Sequence, residues 1–323
     1  MKVGLYFDLR NPRQWQQDSS RLYGFALEMC EEVERLGGDS VWTTEHHLFD
    51  DGYLTQPLTF LAAAAARTKR VRLGTAIMIA PLRPAVQIAE EATVVDIISN
   101  GRLDLGLGAG YRPPEYELYG ADIEQRYPTL DARVGELRKI WAEGRVTPAP
   151  VQRRLPIWLG YQGPKGAKRA GLMGEGLLCV DPTLFGPYRQ GLVEGGHGAD
   201  TARMSGAMQG WISEDPERDW PVVSRHLAHQ LDSYRHHAVQ GTDQPAPKPV
   251  NTEKLIKRPL GSPGLLGSFL YGTPQDAATK IKGYLAGVPV DTVFFWASIG
   301  GMPEEMVARH VQTVCTQLRP LLA

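Results

Sequence analysis

The chain has 323 residues, enough for one large domain, and a (β/α)8 barrel needs roughly 250 with loops to spare. Lys plus Arg number 35 and Asp plus Glu 36, a net charge of -1, so nothing electrostatic points to nucleic acid or an anionic membrane as partner, and a small molecule is expected instead. With 42% hydrophobic and 22% charged residues the composition is that of an ordinary globular chain, and no stretch approaches the roughly 18 apolar residues of a membrane helix.

The sequence opens directly into a strand, Val3 to Leu9, without the charged start, apolar run and small-residue cleavage site of a signal peptide, so a cytoplasmic location is expected. Leu22 to Leu36 reads as an amphipathic helix closed by Gly37-Gly38, Ser40 to Thr44 as a second strand, and Leu58 to Thr68 as an alanine-rich helix. Val71 to Ile77 is a third strand, followed by the helix Ala85 to Ile98, which Asn100-Gly101 stops. Leu103 to Leu107 is a fourth strand and Pro128 to Trp141 a helix. Ile157 to Leu159, the helix Lys165 to Met173 and the strand Gly176 to Val180 follow. Then come the strand Met204 to Trp211, the helix Trp220 to Val239, the strand Thr292 to Trp296 and the helix Glu304 to Leu318. Strands alternating with helices imply parallel pairing through right-handed crossovers. Eight strands in order make a single closed α/β barrel over residues 1–323 the first choice, with a doubly wound open sheet as the alternative. The stretch 241–267, rich in Pro, Gly, Lys and Asn, is too long for an ordinary connection and is expected to be a lid or insertion. Cys30, Cys179 and Cys315 lie far apart and form no CxxC pair; they read as buried thiols in a reducing compartment.

In a barrel of this kind the active site lies at the C-terminal ends of the strands, which selects four segments. After the second strand comes Thr44-Glu45-His46-His47, where histidine can exchange protons near neutral pH. Adjacent histidines on extended backbone point to opposite sides, and no spaced ligand set accompanies them, so no metal is expected; a hydrogen-bonding plug is the structural alternative. The third strand ends at Ala76-Ile77, offering apolar surface for a flat ring or for the core. The fourth runs into Gly106-Leu107-Gly108-Ala109-Gly110-Tyr111, where glycines let backbone approach a ligand closely. The fifth leads into Gly160-Tyr161-Gln162-Gly163-Pro164-Lys165, a strand-to-helix turn whose amides and lysine suit a phosphate.

These segments together resemble the bacterial luciferase-like family of flavin-dependent oxidoreductases. The likeness runs through Ser40-Val41-Trp42, Glu45-His46-His47, Arg72-Leu73-Gly74-Thr75-Ala76, Pro84, Ala89-Glu90-Glu91, Asp96 and Ser99-Asn100-Gly101-Arg102-Leu103. It continues through the glycine run to Tyr111, Glu117 and Tyr119-Gly120, and returns weakly after Gly272. The resemblance implies a TIM barrel that binds reduced FMN, supplied by a separate flavin reductase, and uses O2 to oxygenate a small organic substrate. Its alternative is the deazaflavin F420, with hydride transfer and no O2. His46 matches the family's active-site histidine, with Glu45 beside it expected to be catalytic as well, and Ala76-Ile77 the place of a cis non-proline peptide under the flavin. Gly108, Ala109 and Gly110 match the loop along the ring and ribityl chain, and Gly160, Tyr161, Gln162 and Gly163 the phosphate loop, with Lys165 as an added cation. Ala109 replaces a phosphate-binding arginine of the luciferase subunit itself, and Gly108 replaces its reactive cysteine, so the phosphate charge must come from elsewhere and no thiol is needed. Phe49, Tyr53, Tyr111 and Phe185 are expected to line a substrate pocket, and the family's habit implies a homodimer.

Overall fold

The computed structural model describes residues 1–262 and 267–323. The first half is built from β1 (Lys2–Phe7), α1 (Ser19–Arg35), β2 (Ser40–Thr43), α2 (Pro57–Arg67), β3 (Arg72–Thr75), β4 (Met78–Ile79), α3 (Ala85–Ile98), β5 (Leu103–Gly108), α4 (Pro113–Tyr119) and α5 (Arg126–Ala142). The second half adds β6 (Ile157–Leu159), α6 (Gly163–Leu172), β7 (Gly176–Leu178), α7 (Phe185–Glu194), β8 (Met204–Met208), β9 (Gly210–Ile212), α8 (Pro216–Val239), α9 (Thr252–Leu255), β10 (Leu270–Gly272), α10 (Pro274–Tyr284), β11 (Val290–Trp296), α11 (Glu304–Thr313) and α12 (Arg319–Leu322).

Nine strands form one sheet in the order β3-β2-β1-β11-β8-β7-β6-β5-β4, and an extra β3–β5 pairing closes it. Every pairing is parallel. β3 and β4 are one stave interrupted at the cis peptide Ala76-Ile77, so the barrel has eight staves and the open-sheet alternative falls away. The single strand expected over Val71 to Ile77 is therefore broken at its mouth end. The seventh expected strand also divides. Met204–Met208 stays in the barrel, while Gly210–Ile212 leaves it to pair with β10 in a separate two-stranded sheet.

Local chemistry accounts for the boundaries. The Asp18 carboxylate accepts from the Arg21 amide and starts α1 a turn earlier than its apolar stripe, and Gly37, at φ 84°, ends the turn that follows. Asp215 caps α8 in the same way before Pro216. The staves are apolar on both faces because helices cover one side and the barrel interior fills the other. Leu5, Leu73, Leu105 and Leu107 are all fully buried, each stabilising by about 2 kcal/mol. Trp42 stacks on Phe294 across the interior at 4.5 Å, and it fits because position 74 is glycine: a Cβ there would fall 2.1 Å from the indole. At the N-terminal end of the barrel Arg102 donates to the carbonyls of Ser99, Val71, Ala65 and Thr68, so the Ser99–Leu103 motif holds the ends of α2 and α3 far from the mouth. No helix among the described residues is long and apolar enough to cross a membrane.

Candidate active site

A cavity of about 700 Å³ opens at the C-terminal ends of the staves. One wall is made by Ala76, Ile77, Gly108, Ala109, Gly110, Gly160, Tyr161 and Gln162, from the β3/β4, β5 and β6 staves. It is flat because two glycines receive the Ile77 side chain. A Cβ on Gly108 or Gly160 would come within 2.7 or 2.6 Å of Ile77 carbons. Around Ile77 the surface facing the cavity is backbone and the small residues Ala76, Gly108, Ala109, Gly110 and Gly160, with Tyr161 and Gln162 at its end. Across the barrel, the ends of β1, β8 and β11 bring Tyr6, Gln209 and Trp296, and α8 adds Leu231 and Tyr234. Cys179 also reaches the cavity; burial pushes its thiol up, away from the reactive thiolate.

His46 stands between the two walls at the end of β2. Its Nδ1 lies 2.8 Å from Glu115 Oε1, which also accepts from the His47 amide at 2.9 Å and from Arg112 Nη1 at 3.0 Å. Burial would push the Glu115 carboxyl up, but the hydrogen bond and charge of His46, the His47 amide and the Arg112 guanidinium outweigh it and hold the group below the usual carboxylate range. An ionised carboxylate only accepts, so Nδ1 carries a proton, and Nε2 is the imidazole atom left for the cavity. The ring is caged by Phe49, Tyr53, Tyr111 and Tyr234, with centroids 4.8, 4.8, 5.5 and 6.1 Å away.

His47 points to the other side, as alternation along an extended segment requires. Its Nε2 meets Glu45 Oε1 at 2.7 Å. The Glu45 carboxylate also takes Arg83 Nη1 at 2.7 Å and the Ile79 amide at 2.8 Å. Glu45 touches the cavity edge, but its charge is spent on tying β2 to the turn after β4. The histidine pair thus performs two jobs, one facing the cavity and one facing the frame. Among the described residues no group of three or more His, Cys, Asp or Glu is placed to hold a metal ion.

Of the remaining expected residues, Tyr53 and Tyr111 line the cavity, and Phe49, Phe185, Gly163 and Lys165 do not. Phe49 lies behind His46, stacked on His237 at 3.9 Å with the Arg112 guanidinium 4.5 Å from its ring. Phe185 opens α7 and packs partly buried on the core. Gly163, at φ 75°, starts α6 just beyond the lining residue Gln162, and no side chain caps that helix. Lys165 is exposed outside the cavity, and Arg169, one turn on, is paired with Asp131 at 2.8 Å. None of the described residues of 241–262 lines the cavity: α9 packs on α8, with the Val250 amide donating to Asp232 at 2.7 Å. The rest of the expected lid, 263–266, lies outside the described residues. Glu115, Arg112 and Tyr234 were not expected. The run Pro113-Pro114-Glu115 carried the signal for α4, since proline at the first helical positions marks a start, and that helix delivers Glu115.

Residues 1–291 match the model of one protein family, described as luciferase-like monooxygenase. The chain belongs to that family and is an enzyme of its class. It is 32% identical over 165 residues to the oxygenase component of the flavin-dependent trigonelline monooxygenase of Acinetobacter baylyi, covering 46% of each protein. Over 298 residues, 81% of this chain and 84% of the relative, it is 27% identical to an F420-dependent glucose-6-phosphate dehydrogenase of Kineococcus radiotolerans. The chain spans about half the length of the first curated relatives it matches. The monooxygenase RslO1 from Streptomyces bottropensis shares the fold over the full length of both chains, with a TM-score of 0.82 at 24% identity.

Proposed function

We propose that this enzyme uses reduced FMN and O2 to oxygenate a small organic substrate, with the flavin reduced by a separate reductase. The observation that carries the reading is His46: a histidine oriented by an ionised, fully buried Glu115 presents Nε2 to an aromatic-lined cavity opposite a flat wall of backbone and small side chains. The wall from Ala76 to Gln162 fits a planar ring, and the uncapped first turn of α6 fits a phosphate through backbone amides. A reduced flavin, when bound, supplies the electrons that activate O2. The protein's part is to hold the ring flat against Ala76, Ile77, Gly108 and Ala109, to keep water out with its aromatic cage, and to hold or deliver a proton at His46 Nε2. Glu115 does not touch the cavity; it fixes the imidazole's orientation.

A second reading, hydride transfer from reduced F420 without O2, is favoured by the match along most of the chain to an F420-dependent relative. His46 would then serve as the base for a substrate hydroxyl. The two readings separate in one experiment. Oxygen uptake with reduced FMN and a panel of small aromatic compounds is expected; substrate-dependent change in F420 absorbance, with no oxygen uptake, would replace the first reading by the second. Pairing of two copies through the exposed Ala63 and Ala66 of α2 and the exposed Val86, Val94 and Ile98 of α3 completes the proposal, and sedimentation at micromolar concentration tests it.

A further inference from the structure

We propose that Tyr234 is a substrate-binding residue of this enzyme, its hydroxyl donating a hydrogen bond to the oxygen of a hydroxyl-bearing aromatic substrate while His46 Nε2 takes that substrate's proton. The inference rests on the oxidoreductase reading above and names its substrate class. Tyr234 comes from α8, outside the staves, and no family segment quoted from the sequence contains it. Three hydroxyls run in a line. Thr44 Oγ1 donates to the Tyr53 hydroxyl at 2.8 Å, and the Tyr53 hydroxyl lies 2.7 Å from that of Tyr234. Either hydroxyl can donate in that bond; with Tyr53, which accepts from Thr44, donating onward, Tyr234 is the acceptor. The proton of Tyr234 then has no protein acceptor among the described residues, on a ring that lines the cavity. Burial pushes the Tyr234 phenol far up, so it remains a donor at any working pH. Its position is held from below: the Arg10 guanidinium sits 4.8 Å from the Tyr234 ring and bonds to the neighbouring Ser233.

The cavity therefore offers His46 Nε2 as an acceptor and the Tyr234 hydroxyl as a donor, on rings 6.1 Å apart. A single hydroxyl satisfies both, since it donates through its proton and accepts through its oxygen. The rings of Tyr53, Tyr111 and Tyr234 around His46 favour a planar aromatic carrier for that hydroxyl. In the step the substrate O–H bond breaks and an Nε2–H bond forms. The positive charge on the imidazole faces the Glu115 carboxylate, the negative charge on the aryloxide faces the Tyr234 hydroxyl, and no electron is gained or lost.

The test uses 4-nitrophenol, whose phenolate absorbs apart from the phenol, with nitrobenzene as the matched probe lacking the hydroxyl. Both are titrated into the full chain with oxidised FMN present. Wild type is expected to lower the titration midpoint of bound 4-nitrophenol relative to the free probe. Tyr234→Phe is expected to raise that midpoint by about one pH unit and to weaken phenolate binding about 10-fold, with nitrobenzene binding unchanged within about twofold. Thr44→Val, which removes the first donor of the line, is expected to give a smaller shift of the same sign. Equal losses for both probes, an unmoved midpoint in Tyr234→Phe, or no binding of 4-nitrophenol to a chain that retains flavin would each overturn the inference. Failure to bind either FMN or F420 would overturn the cofactor reading instead, so the two failures are distinguishable.

Discussion

Replacing Glu115 by glutamine keeps the size and the accepting Oε1 but removes the charge that three donors share. His46 Nδ1, the His47 amide and Arg112 Nη1 all converge on Oε1 within 3.0 Å, and both Glu115 and Arg112 are fully buried. A hydrogen bond to a charged partner contributes roughly 1 kcal/mol more than a neutral one, so three of them set the loss at about 3 kcal/mol. Arg112 keeps the His47 and His237 carbonyls and Gln240 as acceptors, which argues against the larger cost of a wholly unpaired buried cation. The assay is urea unfolding of wild type and Glu115→Gln, followed by far-UV circular dichroism at several pH values. Because the folded state holds the Glu115 carboxyl low, its contribution is fully present at neutral pH and is lost as pH falls through the acid range and the native carboxylate takes up a proton. The gap between the two proteins should therefore be about 3 kcal/mol at pH 7 and narrow on acidification. A gap below about 0.5 kcal/mol at pH 7, or one that widens in acid, would refute the account of Glu115 as the charged centre of this cluster.

His46→Ala is expected to lower turnover at least about 100-fold with flavin affinity changed by less than about threefold, measured by steady-state oxygen uptake and flavin fluorescence; equal loss in both would make the residue structural. Asp51 takes the Arg10 guanidinium in an ion pair at 2.5 Å, and burial pushes the nearby Asp8 carboxyl up to about 7. A carboxyl raised in the fold binds its proton more tightly there than in the unfolded chain. Wild type should thus lose up to about 4 kcal/mol relative to Asp8→Asn as pH rises from about 4 to 7, with the difference level above that, in parallel urea titrations. Gly108→Ala is expected to lower stability by about 1 to 3 kcal/mol, since its Cβ would stand 2.7 Å from Ile77 Cγ1. Ile77→Ala in the same chain should recover at least about 1 kcal/mol of that in thermal melts, and simple additivity would show that the two do not share the space.

Chain-local physics carries a large part of this protein. The change of apolar period from two to nearly four along Leu103 to Ile140 announces a strand and then helices, and alternation along Thr44 to His47 already sends the two histidines to opposite sides. Gly108 at the end of β5 and Gly160 after β6 mark where backbone must come close, although the neighbour they receive is the Ile77 side chain. What periodicity does not contain is partnership across the barrel. Glu115 lies 69 positions from His46, and Tyr234 lies 181 from Tyr53; each meeting depends on closure of the sheet and on where α4 and α8 dock. Lys165 shows the reverse case. Its place in the first turn of α6 suits a phosphate by sequence, but the rotation of that helix on the barrel leaves it outside the cavity. Local pattern sets elements and facing because both follow from backbone geometry over a few residues. Hydrogen-bond partners and cavity walls come from side chains far apart in sequence, and only the packed barrel decides which of them meet.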